Sequence, residues 1–217
     1  MDIELKHIDF AYGTEGDAGK RAAGKRQIFA DFSYLLREGE ILCVMGASGC
    51  GKTTLLKLLT GQLRPQCGLI RGMERREISM VFQENRLCEE FSAETNVRLG
   101  CGRGYFGGSG RADIGRHLSE VGLCEAADKK VCSFSGGMKR RVAIVRALMS
   151  ESDLLLMDEP LKELDAATKK AVTAYIKKYR GNRTTVIVTH DAKEAGAFGG
   201  KLLVLDKQAQ PPKRDRG

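Results

Sequence analysis

The sequence has no tryptophan, no C-x-x-C pair among its seven cysteines and no apolar run longer than Ile41–Met45. A helix that crosses a bilayer needs about 18 or more consecutive apolar residues, so the chain is expected not to span a membrane by itself. The cysteines, at positions 43, 50, 67, 88, 101, 124 and 132, stand singly, which fits reduced thiols better than a disulfide frame or a zinc site. The opening Met1-Asp2-Ile3-Glu4 has neither the basic start nor the apolar stretch of a secretory signal, so a cytosolic protein is expected. Aromatic side chains are few, five Tyr and eight Phe, which leaves little material for stacking on nucleic-acid bases.

What is present is ordinary globular material. The 217 residues are 42% hydrophobic and 29% charged, enough for one domain with its own core. The net charge of +8 raises the question of an anionic partner. The cations are spread over Lys20-Arg21, Lys25-Arg26, Lys139-Arg140-Arg141 and Lys213-Arg214-Asp215-Arg216, however, and this distribution argues for proximity to phosphates or lipid and against nucleic acid.

Short aliphatic runs alternate with segments of helical period. Ile41–Met45, Ile78–Phe82, Leu154–Met157 and Thr185–Val188 read as doubly buried parallel strands. Lys52–Thr60, Met138–Met149 and Ala166–Tyr179 read as helices; in the second, Met138, Val142, Val145 and Met149 share one face. Such alternation predicts an α/β sheet with ligands at the carboxyl ends of its strands. Ahead of it, Ile3–Phe10 and Phe29–Leu36 have the character of an antiparallel pair, joined by a polar loop from Gly13 to Lys20. A glycine-rich stretch, residues 100–110, is expected to break a helical insert spanning roughly 86–134.

Gly46-Ala47-Ser48-Gly49-Cys50-Gly51-Lys52-Thr53 is a complete G-x-x-x-x-G-K-[ST] between a strand and a helix. Its glycines let backbone N–H groups turn inward around a nucleotide phosphate, and the helix adds its positive end. Lys52 would neutralise β- and γ-phosphate oxygens, Thr53 would present a hydroxyl to Mg²⁺, and Thr54 would join the loop in binding ATP. Asp158 and Glu159 close the run Leu154–Met157. A carboxylate ending a buried strand is costly without a cation, and the Mg²⁺ of a phosphate-binding loop is one candidate: Asp158 would hold it through water while Glu159 orients or deprotonates an attacking water. Adjacent carboxylates also occur as helix N-caps, and these two residues alone do not separate the readings. Cys50, inside the loop beside Lys52, is expected to be a reactive thiol.

Phe134-Ser135-Gly136-Gly137-Met138-Lys139-Arg140-Arg141-Val142-Ala143-Ile144-Val145-Arg146-Ala147-Leu148, placed between the phosphate loop and Asp158-Glu159, resembles the signature motif of the ATPase subunits of ABC transporters. The resemblance runs through nearly the whole chain. It implies that Tyr12 stacks on adenine, that Gln83 is the glutamine that reaches the metal and the γ-phosphate, that Leu164-Asp165 ends the loop touching the dimer partner, and that His190 is the γ-phosphate-sensing histidine. It also implies that Ser135, Gly136 and Gly137 bind the ATP held by another subunit, a homodimer mate or a related chain. The fold implied is an α/β P-loop RecA-like core with a small N-terminal antiparallel β lobe and a helical insert. As one domain over residues 1–217, it divides into a lobe (mostly 1–40), a core (41–85 and 135–206), the insert (86–134) and a tail (207–217).

The function implied is ATP hydrolysis, with ATP and Mg²⁺, at the cytoplasmic face of the cell membrane. The partners implied are integral-membrane permease subunits and, for an importer, an extracytoplasmic solute-binding protein. Phe134 and Met138 depart from the commonest signature residues in the direction of importers of nitrate, sulfonates, taurine and thiamine precursors. Lys162-Glu163 stands where smaller residues are usual, and the interval from Lys52 to Gln83 is short, implying a trimmed lobe. Leu87 and Phe91, at helical spacing, are the expected apolar contacts for the permease, with burial as core residues the alternative. A non-transport relative acting on nucleic acid or ribosomes is the competing reading; such proteins usually carry two cores or a long insert, and this sequence has neither.

Overall fold

Unbroken aliphatic runs can be buried only if both faces of their sheet are covered, and the larger of the two sheets meets that condition at 154–158 and 184–188, whereas Leu202 and Val204 at its edge are exposed. The computed structural model describes residues 1–13, 26–101 and 108–206, with the backbone alone for 108–112. Most of the polar loop from Gly13 to Lys20, the glycine-rich residues 102–107 and the 207–217 tail lie outside the described residues.

β1 (Ile3–Tyr12), β2 (Arg26–Leu36) and β4 (Cys67–Arg71) form an antiparallel sheet in the order β2-β1-β4. β3 (Ile41–Gly46), β5 (Ile78–Val81), β6 (Leu154–Asp158), β7 (Thr184–Val188) and β8 (Lys201–Leu205) form a parallel sheet in the order β5-β6-β7-β3-β8. The helices are α1 (Lys52–Leu59), α2 (Ala93–Arg98), α3 (Gly108–Glu120), α4 (Gly136–Met149), α5 (Ala166–Tyr179) and α6 (Ala192–Phe198). The expected parallel strands and the three expected helices are all present, with ends shifted by at most two residues.

Successive residues of a strand face opposite sides, and the core divides accordingly. Leu154 and Leu156 of β6 pack with Leu42, Val44, Val186 and Val188 against α1 and the antiparallel sheet. Leu155 and Met157 face the other way, with Cys43 and Ile187, into the cluster of α2, α3, α4, α5 and α6. One β-run thus serves two cores. A polar clamp ties α3 to α5: buried His117 meets the Tyr175 hydroxyl at 2.8 Å, and Tyr179 donates to Glu120. Burial pushes the His117 pKa below its ordinary value.

Two local expectations are corrected. Cys67–Arg71, read as part of the core segment 41–85, is the third strand of the antiparallel sheet, paired with β1 through Leu5↔Ile70 and Lys6↔Leu69. Residues 86–91 are not helical, so Leu87 and Phe91 do not share a helix face; Leu87 packs against the α-side core, whereas Phe91 is exposed.

Candidate nucleotide and metal site

The parallel order sets the site. At the carboxyl ends of β5, β6, β7 and β3, which are neighbours in the sheet, stand Gln83, Asp158-Glu159, His190 and the loop Gly46–Thr53. Together with Tyr12, Arg26, Thr54 and Lys162 they line one cavity of about 500 Å³, within the usual range for small-molecule sites, with Ala47 and Cys50 of the loop outside the lining.

The phosphate loop takes its shape from glycines that have no room for a side chain. Gly51 caps α1 at φ 113°, and a Cβ there would meet Ile28 at 2.5 Å; one on Gly46 would meet the Leu205 carbonyl at 2.2 Å. Lys52 donates to the carbonyls of Gly46 (2.7 Å) and Ala47 (3.0 Å), which folds its ammonium back over the loop. The Ser48 and Gly49 backbone completes the rim, where Arg26 donates to the Gly49 carbonyl at 2.6 Å. Cys50 is 4% exposed and belongs to the core cluster of the lobe side, so its expected reactivity is withdrawn: packing turns the thiol away from solvent.

Thr53 donates from Oγ1 to Asp158 Oδ2 at 3.0 Å, joining the two residues expected to serve a metal. Burial raises the Asp158 pKa, and the Thr53 hydroxyl offsets part of that rise. A hydroxyl and a carboxylate side by side form a hard-oxygen pair that fits Mg²⁺, an ion that takes one or two protein ligands and completes its shell with phosphate and water. Among the described residues no group of three His, Cys, Asp or Glu converges as a metal cage.

Glu159 has a backbone φ of 49°, outside the regular strand, and its carboxylate is held twice. His190 Nδ1 lies 3.1 Å from Oε1, and Lys162 Nζ lies 3.7 Å from Oε2. His190 is exposed at the cavity mouth, as are Gln83 and Tyr12; the Tyr12 ring packs edge-on to Phe10 and its hydroxyl meets Thr54 Oγ1 at 3.2 Å.

Ser135, Gly136, Gly137 and Asp165 are not part of this cavity. Ser135 caps α4, accepting from the Met138 N–H at 3.3 Å, and a side chain on Gly136 would run into the Glu163 carboxylate. Ser135 and Gly136 are exposed, so this end of α4 faces outward with its positive pole. Asp165 caps α5, accepting from the Thr168 N–H at 3.0 Å; the bonds from Thr168 hold its carboxyl below the usual range.

Sequence reasoning missed Arg26 and Arg140. Arg140, 3% exposed, forks onto the carbonyls of Phe82, Gln83 (3.1 Å), Asp158 (3.3 Å) and Glu159 (3.1 Å) and so ties the ends of β5 and β6 together under the cavity. A cation inside an otherwise apolar helix face was the available signal. Arg140→Ala is expected to cost about 3 kcal/mol in urea unfolding, because bonds from a charged donor are lost and buried carbonyls are left unpaired. Arg140→Lys should recover only part, since one ammonium cannot reproduce the fork.

The family model described as ABC transporter matches residues 29–162. An aliphatic sulfonates import ATP-binding protein of Paraburkholderia xenovorans is 38% identical over 212 residues, covering 95% of this chain and 60% of the relative. A taurine import ATP-binding protein of a Jannaschia species is 38% identical over 191 residues, covering 84% of this chain and 71% of the relative. The chain thus spans less than two thirds of the first relative's length. Among solved structures, a dimeric ATP-binding cassette in a post-hydrolysis state bound to ADP and Pi superposes with a TM-score of 0.79 at 26% identity, covering 95% of this chain and 97% of that one. No helix among the described residues is long and apolar enough to cross a membrane.

Proposed function

The chain belongs to the ABC transporter family, and from that premise we propose that it is the ATP-hydrolysing subunit of a membrane transporter, working as a pair of nucleotide-binding subunits against permease subunits at the cytoplasmic face. The observation that carries the reading is the convergence of Lys52, Thr53, Gln83, Asp158, Glu159 and His190 on one cavity at the carboxyl ends of four adjacent strands.

Hydrolysis of this kind asks the protein for position and charge more than for covalent chemistry. Loop N–H groups and Lys52 receive the phosphates, and the Tyr12 ring at the rim receives the adenine. Thr53, Asp158 and Gln83 would hold Mg²⁺, which when bound neutralises charge on the β- and γ-phosphate oxygens. Glu159 takes a proton from the attacking water, with His190 fixing its Oε1. Ser135, Gly136 and Gly137, pointing outward from the same subunit, supply N–H groups to the γ-phosphate in the partner's cavity, and Asp165 lies at that junction. ATP thereby joins the two subunits.

The relatives named for import of aliphatic sulfonates and taurine support uptake of a small solute; delivery by an extracytoplasmic binding protein is part of the proposal. Ser135→Arg tests the shared site. ATP binding by the single subunit should stay within about twofold, as for a surface change, while hydrolysis should fall by roughly 10²-fold or more through loss of a preorganised anion-binding group. Loss of ATP binding by the single subunit would refute it.

A further inference from the structure

We propose that Lys162 is a positioning residue for hydrolysis, holding the second oxygen of the Glu159 carboxylate while His190 holds the first; the inference rests on the reading of Glu159 as the group that activates water. Among the described residues, the His190 imidazole and the Lys162 ammonium lie within 4 Å of this carboxylate, one on each oxygen. Of Glu159, the buried Arg140 bonds the backbone carbonyl and not the carboxylate.

The contact is built by the chain's path. Residues 159–162 form a turn closed by the Lys162 N–H on the Glu159 carbonyl at 3.1 Å, with Pro160 at its second position and Leu161 buried at 1% exposure as its anchor. Proline pre-sets the backbone angle there, so side chains three residues apart are turned toward one another. Lys162 and Glu163 then part: the Glu163 carboxylate lies against Gly136 at the start of α4, whereas the Lys162 ammonium stays at the cavity wall beside Glu159.

Asp158 ends β6 and Glu159 follows it, and both carboxylates face the place of a nucleotide that carries several negative charges. Repulsion from the γ-phosphate drives Glu159 outward, and the imidazole contact alone leaves Oε2 free to swing. A cation on Oε2 opposes that swing and keeps the carboxylate within reach of the water. Lys162 is itself substantially exposed, so the pair adds little to folding stability, and its removal is read in the chemistry.

Steady-state ATPase kinetics of Lys162→Met, Lys162→Arg, Glu159→Gln and the double variant Glu159→Gln/Lys162→Met, each with its melting temperature, test the proposal. The expected result is a kcat about tenfold lower for Lys162→Met at an unchanged KM for ATP, most of the rate restored in Lys162→Arg, and no further loss when Lys162→Met is added to Glu159→Gln. If Glu159→Gln stops turnover while Lys162→Met keeps the parent kcat, the positioning role falls and the reading of Glu159 stands. If Lys162→Met raises KM at constant kcat, the lysine binds nucleotide and the proposal is overturned. Turnover at the parent rate in Glu159→Gln removes the base and the proposal with it.

Discussion

Glu159→Gln is expected to lower ATP turnover by roughly 10²- to 10⁴-fold, the range of a lost general base, while ATP affinity stays close to that of the parent. Glutamine keeps the length of the side chain and its hydrogen-bonding reach to His190, which sits 3.1 Å away. It loses the charge and the ability to take a proton. Lys52, Thr53 and Asp158 are untouched, so the phosphates should still be received. The variant therefore separates binding from chemistry. Single-turnover phosphate release checks it; a rate near the parent's would move the base elsewhere, with exposed His190 the first candidate.

Lys52→Ala should do the reverse and remove binding, with affinity falling about 100-fold in calorimetry, equivalent to about 3 kcal/mol for lost charge-assisted contacts. The ammonium now satisfies itself on the carbonyls of Gly46 and Ala47. These bonds lie on the loop proposed to receive phosphate, so the same cation would transfer from carbonyl to phosphate oxygen with little movement. Alanine offers neither. A melting curve separates this from unfolding, since α1 buries Leu55, Leu56, Leu58 and Leu59 without help from Lys52. Unchanged ATP affinity in a folded variant would refute the role given to the loop.

The parts of the fold that were legible in the sequence are those dictated by local chemistry. β6 could be read because Leu154–Met157 is buried on both faces, so its sequence is continuously apolar. α4 could be read because Val142, Val145 and Met149 lie on one buried face and Ser135 caps it. β4 could not: of Cys67–Arg71 only Ile70 is even partly buried, so the strand carries no alternation, and its existence depends on pairing with β1 some sixty residues earlier. The Leu87–Phe91 spacing misled because a four-residue interval fits a helix and an irregular loop equally well. Cys50 misled because charge around the loop was legible and the packing of the lobe beneath it was not. Arg140 was hidden for a related reason. Its partners are four backbone carbonyls, and carbonyls have no identity in a sequence.

The site itself was more legible than the fold around it, since Lys52, Thr53, Asp158, Glu159, Gln83 and His190 line one cavity. Their roles turn on whether ATP joins two copies, and the mass of Glu159→Gln in saturating ATP and Mg²⁺, by light scattering, tests this most directly. A species at about twice the 23.8 kDa of the chain is expected, by mass action of a ligand that bridges both copies, returning to the single-chain mass when Ser135→Arg is added. A single-chain mass with ATP bound, or a double mass indifferent to Ser135→Arg, would contradict the shared site.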